Sequence, residues 1–164
     1  MLPASTPRLR FREMTADDLD QMTALLSDPE VMRYYPAPKT RQDAANWIAW
    51  NERNYAEHGF GPWIIELHDG TFVGDCGLTV QTVEGERLVE VGYHLMPAWH
   101  GRGLATEAAC AVRDEARDGG ISHLIAIIRP ANLPSQRVAE KIGLHLERRT
   151  SVHDLDCLVY GADL

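Results

Sequence analysis

The sequence predicts an α/β fold built on a mixed, mostly antiparallel twisted sheet of about seven strands with four helices. Three observations predict it. The run "PWIIELHDGTFVGDCGLTVQTVEGERLVEVGYHL" contains three strand-like segments separated by the turn signals Asp69-Gly70 and Glu84-Gly85, which is the pattern of an antiparallel meander. The last of these strands leads through a helical segment into "HLIAIIR", a strand-helix-strand crossover that requires parallel neighbours and a right-handed connection. With 164 residues, 45% hydrophobic and 24% charged, the chain can bury one core and is short for two, so residues 1–164 are expected to form a single domain.

Taken in order, "PRLRFREM" alternates as a strand, with Leu9 and Phe11 on one side and arginines on the other. "TADDLDQMTALLSD" reads as a helix with Thr15 at its N-cap, acids in its first turn and Leu19, Met22, Leu25 and Leu26 as an apolar stripe. The three prolines of "PEVMRYYPAPKT" make a loop, and "RQDAANWIAWNERNYAEHG" is a second helix stopped at Gly59. Its Trp47 and Trp50 are expected to anchor the core. After the meander, a third helix runs from the glycines of "WHGRGLATEA" to about Asp118 and stops at Gly119-Gly120. The strand "HLIAIIR", a fourth helix "LPSQRVAEKIG" ending at Gly143, and a final strand pair complete the order β-α-α-β-β-β-α-β-α-β-β.

Bulk properties narrow the function. A formal net charge of -8, with no run of Lys and Arg, argues against nucleic-acid binding and favours a neutral or cationic substrate. Cys76, Cys110 and Cys157 are far apart and form no CxxC pair, so neither a disulfide framework nor a metal site is suggested. The start "MLPASTPRLRF" has no apolar signal core, and nothing approaches the roughly 18 apolar residues of a membrane span. A cytoplasmic protein without membrane contact is expected.

The stretch "WHGRGLATEA" carries the first chemical signal. The first N–H groups of a helix lack internal partners, and the aligned peptide dipoles place positive potential there. Gly101 and Gly103 let backbone N–H groups approach a large anion, Ala105 keeps the next position small, and Thr106 adds a hydroxyl, so a pyrophosphate would fit. A glycine-rich turn into an ordinary helix fits the spacing equally well. The stretch lacks the lysine of GxxxxGK[ST] phosphate loops and a complete GxGxxG, which sets aside an obvious nucleotide hydrolase.

The pyrophosphate loop of the Gcn5-related N-acetyltransferase (GNAT) family reads Gln or Arg, two free positions, Gly, one free position, then Gly or Ala. The segment His100 to Ala105 resembles it, with His100 departing from the usual Gln or Arg. "RLRFREMTADDLDQMTALLSDPEVMRYYP", "EVGYHLMPAWHGRGLATEA" and "NLPSQRVAEKIGL" together resemble the branch that acetylates ribosomal-protein N-termini. The resemblance spans nearly the whole chain. It implies the GNAT fold, with helices on both sheet faces, and acetyl-CoA as donor, its pyrophosphate held by Gly101, Arg102, Gly103, Leu104, Ala105 and Thr106. It also implies that the pantetheine arm pairs with backbone near Leu95 and Met96, that Asn132 contacts the cofactor and that Ser135 reaches the thioester sulfur. Asn132 would equally serve as a plain helix cap. A homodimer is left open.

Amine acetylation asks for positioning and for a neutral amine. A lysine amine of pKa about 10.4 costs about 4.6 kcal/mol to deprotonate at neutral pH, and an α-amine near 8 about 1.4 kcal/mol. Strict alternation in "RLVEVGYHL" puts Leu88, Glu90, Gly92 and His94 on one face and Val89, Val91, Tyr93 and Leu95 on the other. Glu90, beside a residue without a side chain, is the candidate base acting through water, although a solvated strand glutamate is as good a reading of the residue alone. His94 is a lesser candidate. Many family members carry a general-acid Tyr where Ala139 stands here, which leaves Ser135 to protonate the thiolate. Tyr34 and Tyr35 lie in the loop that borders the acceptor site in the family, and Glu107 is read as a favourable first-turn charge. The expected acceptor is a primary amine, with a protein or peptide N-terminus leading. A small amine or antibiotic, an acyl-CoA-binding module without turnover, and a nucleotide-binding protein are the alternatives.

Overall fold

The computed structural model describes residues 1–164. Its elements are β1 (Leu9–Arg12), a 3-10 turn (Ala16–Asp18), α1 (Leu19–Ser27), α2 (Arg41–His58), β2 (Pro62–Leu67), β3 (Phe72–Val83), β4 (Glu86–Leu95), a second 3-10 turn (Pro97–Trp99), α3 (Leu104–Asp118), β5 (His123–Ile128), α4 (Leu133–Lys141), β6 (His145–Val152) and β7 (Leu155–Asp163). One seven-stranded sheet runs in the order β1-β2-β3-β4-β5-β7-β6, with the final strand inserted between β5 and the edge strand β6. Every pairing is antiparallel except β4 with β5.

The first helix starts later than its sequence pattern suggests. The Thr15 hydroxyl accepts the Asp17 N–H at 3.3 Å, and the Asp18 carboxylate returns to the Thr15 N–H at 2.8 Å. The same carboxylate takes two hydrogen bonds from Arg12, at 2.7 and 2.9 Å, so the capping turn is tied to β1 and the α-helix begins only at Leu19. At the other expected stops, Gly59 and Gly143 adopt left-handed φ values of 76° and 91°.

Neighbouring residues of β2 show how the layers divide. Trp63 and Ile65 face a 22-residue core shared with α3 and α4, whereas Ile64 faces an eight-residue core shared with α1 and α2. Helices therefore cover both faces of the sheet. The β3–β4 hairpin turns at Glu84 and Gly85, both with positive φ, and its register runs without a break from Val83↔Glu86 to Gly74↔Leu95.

The parallel strands β4 and β5 pair only at Val89↔Leu124 and Glu90↔Ile125, after which they part. The chain thus opens a gap in the middle of its own sheet, at the carboxyl ends of its only parallel pair. Such a crevice is where α/β folds commonly place ligands.

Candidate active site

On the α3–α4 face, the start of α3 is built for an anion. Gly101 and Gly103 hold left-handed φ values of 72° and 77°, and a Cβ on Gly101 would meet no atom within 4 Å. No side chain caps Gly103, whereas Thr15, Thr40 and Asn132 cap the helical segments that follow them. The first helical bond is Glu107 N–H to Gly103 at 3.1 Å, so the N–H groups of Leu104, Ala105 and Thr106 leave the helix start without helical partners. Arg102 lies over the Trp99 ring at 5.0 Å and its carbonyl accepts from Arg8 at 2.8 Å, which brings two guanidinium groups to this end of the helix. These residues fit a diphosphate. Glu107 is spoken for: it accepts from the Thr6 hydroxyl at 2.6 Å and from Arg8 at 2.8 and 3.1 Å, binding the N-terminal segment to α3.

His100, the residue that departs from the family loop, has a structural partner. Its Nε2 lies 2.7 Å from the Leu95 carbonyl, at the entrance to the gap. The Met96 N–H donates to Val73 at 2.9 Å and its carbonyl accepts from Trp99 at 2.9 Å. These bonds close β4 onto the 3-10 turn and leave the Met96 carbonyl one lone pair. The Leu95 carbonyl likewise keeps a lone pair beside His100.

The Asn132 side chain caps α4 by accepting the Ser135 N–H at 3.2 Å. This fixes the first turn of α4 and aims Ser135 at β4, where its hydroxyl meets the Tyr93 hydroxyl at 2.8 Å. Burial pushes the Tyr93 phenol up to about 12, although its bond to Ser135 works in the other direction. Ala139 is buried in the core, and the phenols that reach the fourth helix come from β4, as Tyr93 at Ser135, and from β7, as Tyr160 at Gln136.

At the gap itself stands Glu90. Its carboxylate accepts the Thr79 hydroxyl at 3.2 Å and, from across the parting strands, the Ile127 N–H at 3.2 Å. One side chain therefore occupies the place of a missing ladder bond. The group keeps some solvent access, yet enough protein surrounds it that burial raises its pKa to about 7, against the lowering effect of Ile127, Thr79 and His94. A carboxyl poised there can take up a proton near neutral pH.

On the same face, the β3–β4 register sets Asp75 opposite His94. Asp75, 1% exposed, accepts His94 Nδ1–H at 2.7 Å, the His94 backbone N–H at 3.1 Å and Trp47 Nε1–H at 3.1 Å. The His94 Nε2 lies 2.7 Å from the Tyr35 hydroxyl. Burial pulls the imidazole pKa down, but Asp75 and Glu90 more than offset it, and the net shift is upward. Tyr35 is held as a phenol by the protein packed around its hydroxyl and by the same two carboxylates, although the residue as a whole is half-exposed.

Tyr35 therefore joins the cluster. Tyr34 makes no hydrogen bond to it, and its ring lies under Arg33 at 5.5 Å. Trp47 is a wall of this cluster as well as a core residue: half-buried, it sits edge-on to His94 at 6.1 Å and carries Trp50 against it at 5.3 Å. Sequence reasoning missed Asp75, Tyr93 and this role of Trp47. The signal for Asp75 was a charged residue inside the apolar strand "FVGDCGLTV", opposite His94 when both strands are counted back from the Glu84-Gly85 turn.

A family model described as an acetyltransferase (GNAT) domain matches residues 8–145. The chain is 38% identical to the Bacillus subtilis (strain 168) protein YkkB over 148 residues, 87% of this chain and 85% of that one. It is 31% identical to the N-acetyltransferase YnaD of the same organism over 145 residues, 87% of this chain and 82% of the other. The crystal structure of an acetyltransferase from Agrobacterium tumefaciens str. C58 superposes with a TM-score of 0.87 at 27% identity, covering 99% of this chain and 94% of that one. At the level of the fold alone, it is similar to the aminoglycoside acetyltransferase AAC(6')-Ib solved with coenzyme A (TM-score 0.77, 18% identity, 94% of each chain) and to the ribosomal L7/L12 α-N-protein acetyltransferase RimL solved with coenzyme A (TM-score 0.77, 14% identity, 100% and 98%). No helix is long and apolar enough to cross a membrane. With an open helix start, a gap between two parallel strands and a carboxyl at that gap, the chain belongs to the GNAT family and is an N-acetyltransferase.

Proposed function

We propose that the protein transfers an acetyl group from acetyl-CoA to the α-amine of a protein or peptide N-terminus by direct attack, with Glu90 as the base. The observation that carries this reading is the Glu90 carboxyl, whose pKa of about 7 at the strand gap lies within about one unit of an α-amine and more than three below a lysine amine. Acetyl-CoA supplies a thioester carbonyl and a thiol leaving group. The N–H groups at the start of α3, with Arg102 beside them, hold its diphosphate, and the Leu95 carbonyl receives the pantetheine amide.

The amine reaches the gap from the α1–α2 face, over Gly92, where a Cβ would meet nothing within 4 Å. Glu90 draws the ammonium in and takes its proton through water. Ser135 donates to the departing thiolate and is restored by the proton that the acylated nitrogen sheds, so the thiol leaves protonated and the serine keeps its hydroxyl. Tyr93, which keeps its own proton, donates to the Ser135 oxygen and so turns the serine hydrogen toward the sulfur. Asn132 supports this geometry by capping the helix that carries Ser135.

Thiol release from acetyl-CoA across a panel of peptides, lysine derivatives, polyamines and aminoglycosides tests the reading. Turnover is expected on peptides with free N-termini and lost on the same peptides blocked at the N-terminus. Turnover confined to lysine side chains or small polyamines would overturn the acceptor assignment.

A further inference from the structure

On the acceptor side of β4, Gly92 separates Glu90 from His94, and two residues of strand place each about 6–7 Å from it. The floor between them is open, since a Cβ on Gly92 would meet no atom. His94 is fixed at one end of this floor. Its side chain is 11% exposed, and its Nδ1–H is committed to Asp75, whose remaining lone pairs receive the His94 N–H and Trp47. With the tautomer set by Asp75, the neutral ring presents Nε2 as an acceptor. The partner of Nε2 is the hydroxyl of Tyr35, a loop residue that is 46% exposed. Acetyl transfer as described above makes no use of this acceptor.

We propose that His94, held by Asp75, selects the acceptor by taking a hydrogen bond at Nε2 from the backbone N–H two residues beyond the reacting amine, in place of the Tyr35 hydroxyl. The inference rests on the peptide reading of the acceptor. The distances agree: an extended peptide advances about 3.3–3.6 Å per residue, so the N–H of its third residue lies about 7 Å from the amine, matching the step from Gly92 to His94. A peptide bound this way runs along β4 from the gap toward Tyr35.

The site is sensitive to pH. The groups facing the imidazole are Asp75 on β3, Glu90 on its own strand, and Tyr35 and Lys39 on the loop before α2. The carboxylates outweigh burial and Lys39, so the ring protonates above its ordinary range. Once it is protonated, Nε2 becomes a donor and no longer accepts a peptide N–H.

Two acceptors separate this role from a structural one: alanyl-alanine amide, which has the third N–H, and alanyl-alanine methyl ester, which lacks it. Wild-type protein at pH 8.5 is expected to favour the amide about two- to twelvefold in kcat/KM, the size of one net hydrogen bond, mainly through KM. The preference should fall toward one as the pH drops to 6. His94→Leu should bring the ratio to one at every pH while leaving the KM for acetyl-CoA unchanged. His94→Gln, which restores a neutral acceptor, should keep part of the preference without its pH dependence. A wild-type ratio near one, or a His94→Leu ratio equal to wild type, overturns the inference and leaves the peptide reading standing. If wild type acetylates neither peptide but does acetylate another amine, the acceptor reading falls and this inference with it. Should His94→Leu fail to fold, Tyr35→Phe on the exposed loop decides: removing the competing hydroxyl should raise the amide preference two- to threefold, and an unchanged ratio overturns the inference.

Discussion

The two faces of strand β4 solve different problems with different parts of the chain. On the α3–α4 face the candidate site is made mostly of backbone: two left-handed glycines, three N–H groups at a helix start and the Leu95 carbonyl, with the paired hydroxyls of Tyr93 and Ser135. On the α1–α2 face it is made of side chains: Glu90 in the gap, Asp75 and Trp47 around His94, and Tyr35 above. A backbone site recognises what every donor molecule has in common, and its geometry depends on where glycines fall. A side-chain site recognises what varies between acceptors, and it is tuned by burial and charge. Substitutions on the first face should disturb donor binding or thiol release, and those on the second the acceptor, its proton and the stability of the fold.

The largest expected effect is on the second face. Replacing Glu90 with Gln should lower kcat by about 10²–10⁴-fold, the usual range for loss of a general base, while the KM for acetyl-CoA stays within about twofold. In the proposed mechanism the active form of Glu90 is the carboxylate, so wild-type activity on a peptide α-amine should rise with pH through about 7. In the Gln variant that rise should be absent. An unaltered pH profile in the variant would move the base elsewhere.

The same residue should carry the next largest effect, with the opposite sign. The Glu90 pKa is raised from 4.5 to about 7 on folding, so between these values the unfolded chain has released a proton that the folded chain still holds. Stability due to this group is therefore present below pH 4.5, falls as pH rises to about 7 and levels off above it. Glu90→Gln should be more stable than wild type at pH 8 by on the order of 2–3 kcal/mol, and equal to it near pH 4, as read by denaturant unfolding. Equal stability at both pH values would mean that the carboxyl is not held neutral by burial.

How far each face could be read in advance follows from the same division. The order of strands and helices, the helix stops at Gly59 and Gly143 and the glycines before α3 were legible because periodicity and backbone conformation are local properties. The strand position of Glu90, beside Gly92 and on the face of His94, was legible from alternation. Its role in bridging β4 to Ile127 was not, because the parting of two strands is a tertiary fact. The capping turn at Asp18 reads as continuous helix until Arg12 is found beside it. His94 looks like a solitary strand histidine, since its partners lie on β3, on α2 and in a loop. Of these, only Asp75 could have been placed by counting from a turn.

Two glycines, one on each face, offer a sharper contrast at smaller cost. Gly103 holds a φ of 77°, where a β-branched side chain is strained by about 1–2 kcal/mol. Gly103→Val should raise the KM for acetyl-CoA about tenfold with a much smaller change in the KM for the acceptor. Gly92 has no such φ and open space at its Cβ, so Gly92→Val should fold normally. It should instead raise the acceptor KM several-fold, because the new side chain fills the floor between Glu90 and His94. Steady-state kinetics with each substrate varied in turn would show whether the two faces separate in this way.

The smallest effect returns to the first face. In the proposed mechanism Tyr93 acts only through Ser135, whose hydroxyl it meets at 2.8 Å. Ser135→Ala should slow thiol release about tenfold, and Tyr93→Phe about three- to fivefold, since the serine hydroxyl survives but loses the bond that orients it. The double variant distinguishes orientation from packing. If Tyr93 works through Ser135, the pair should lose no more than Ser135→Ala alone, the coupling expected of residues in one hydrogen-bonded unit. If the two losses multiply, Tyr93 matters for its contact with the core. The phenol would then be a wall of the donor face rather than part of its chemistry.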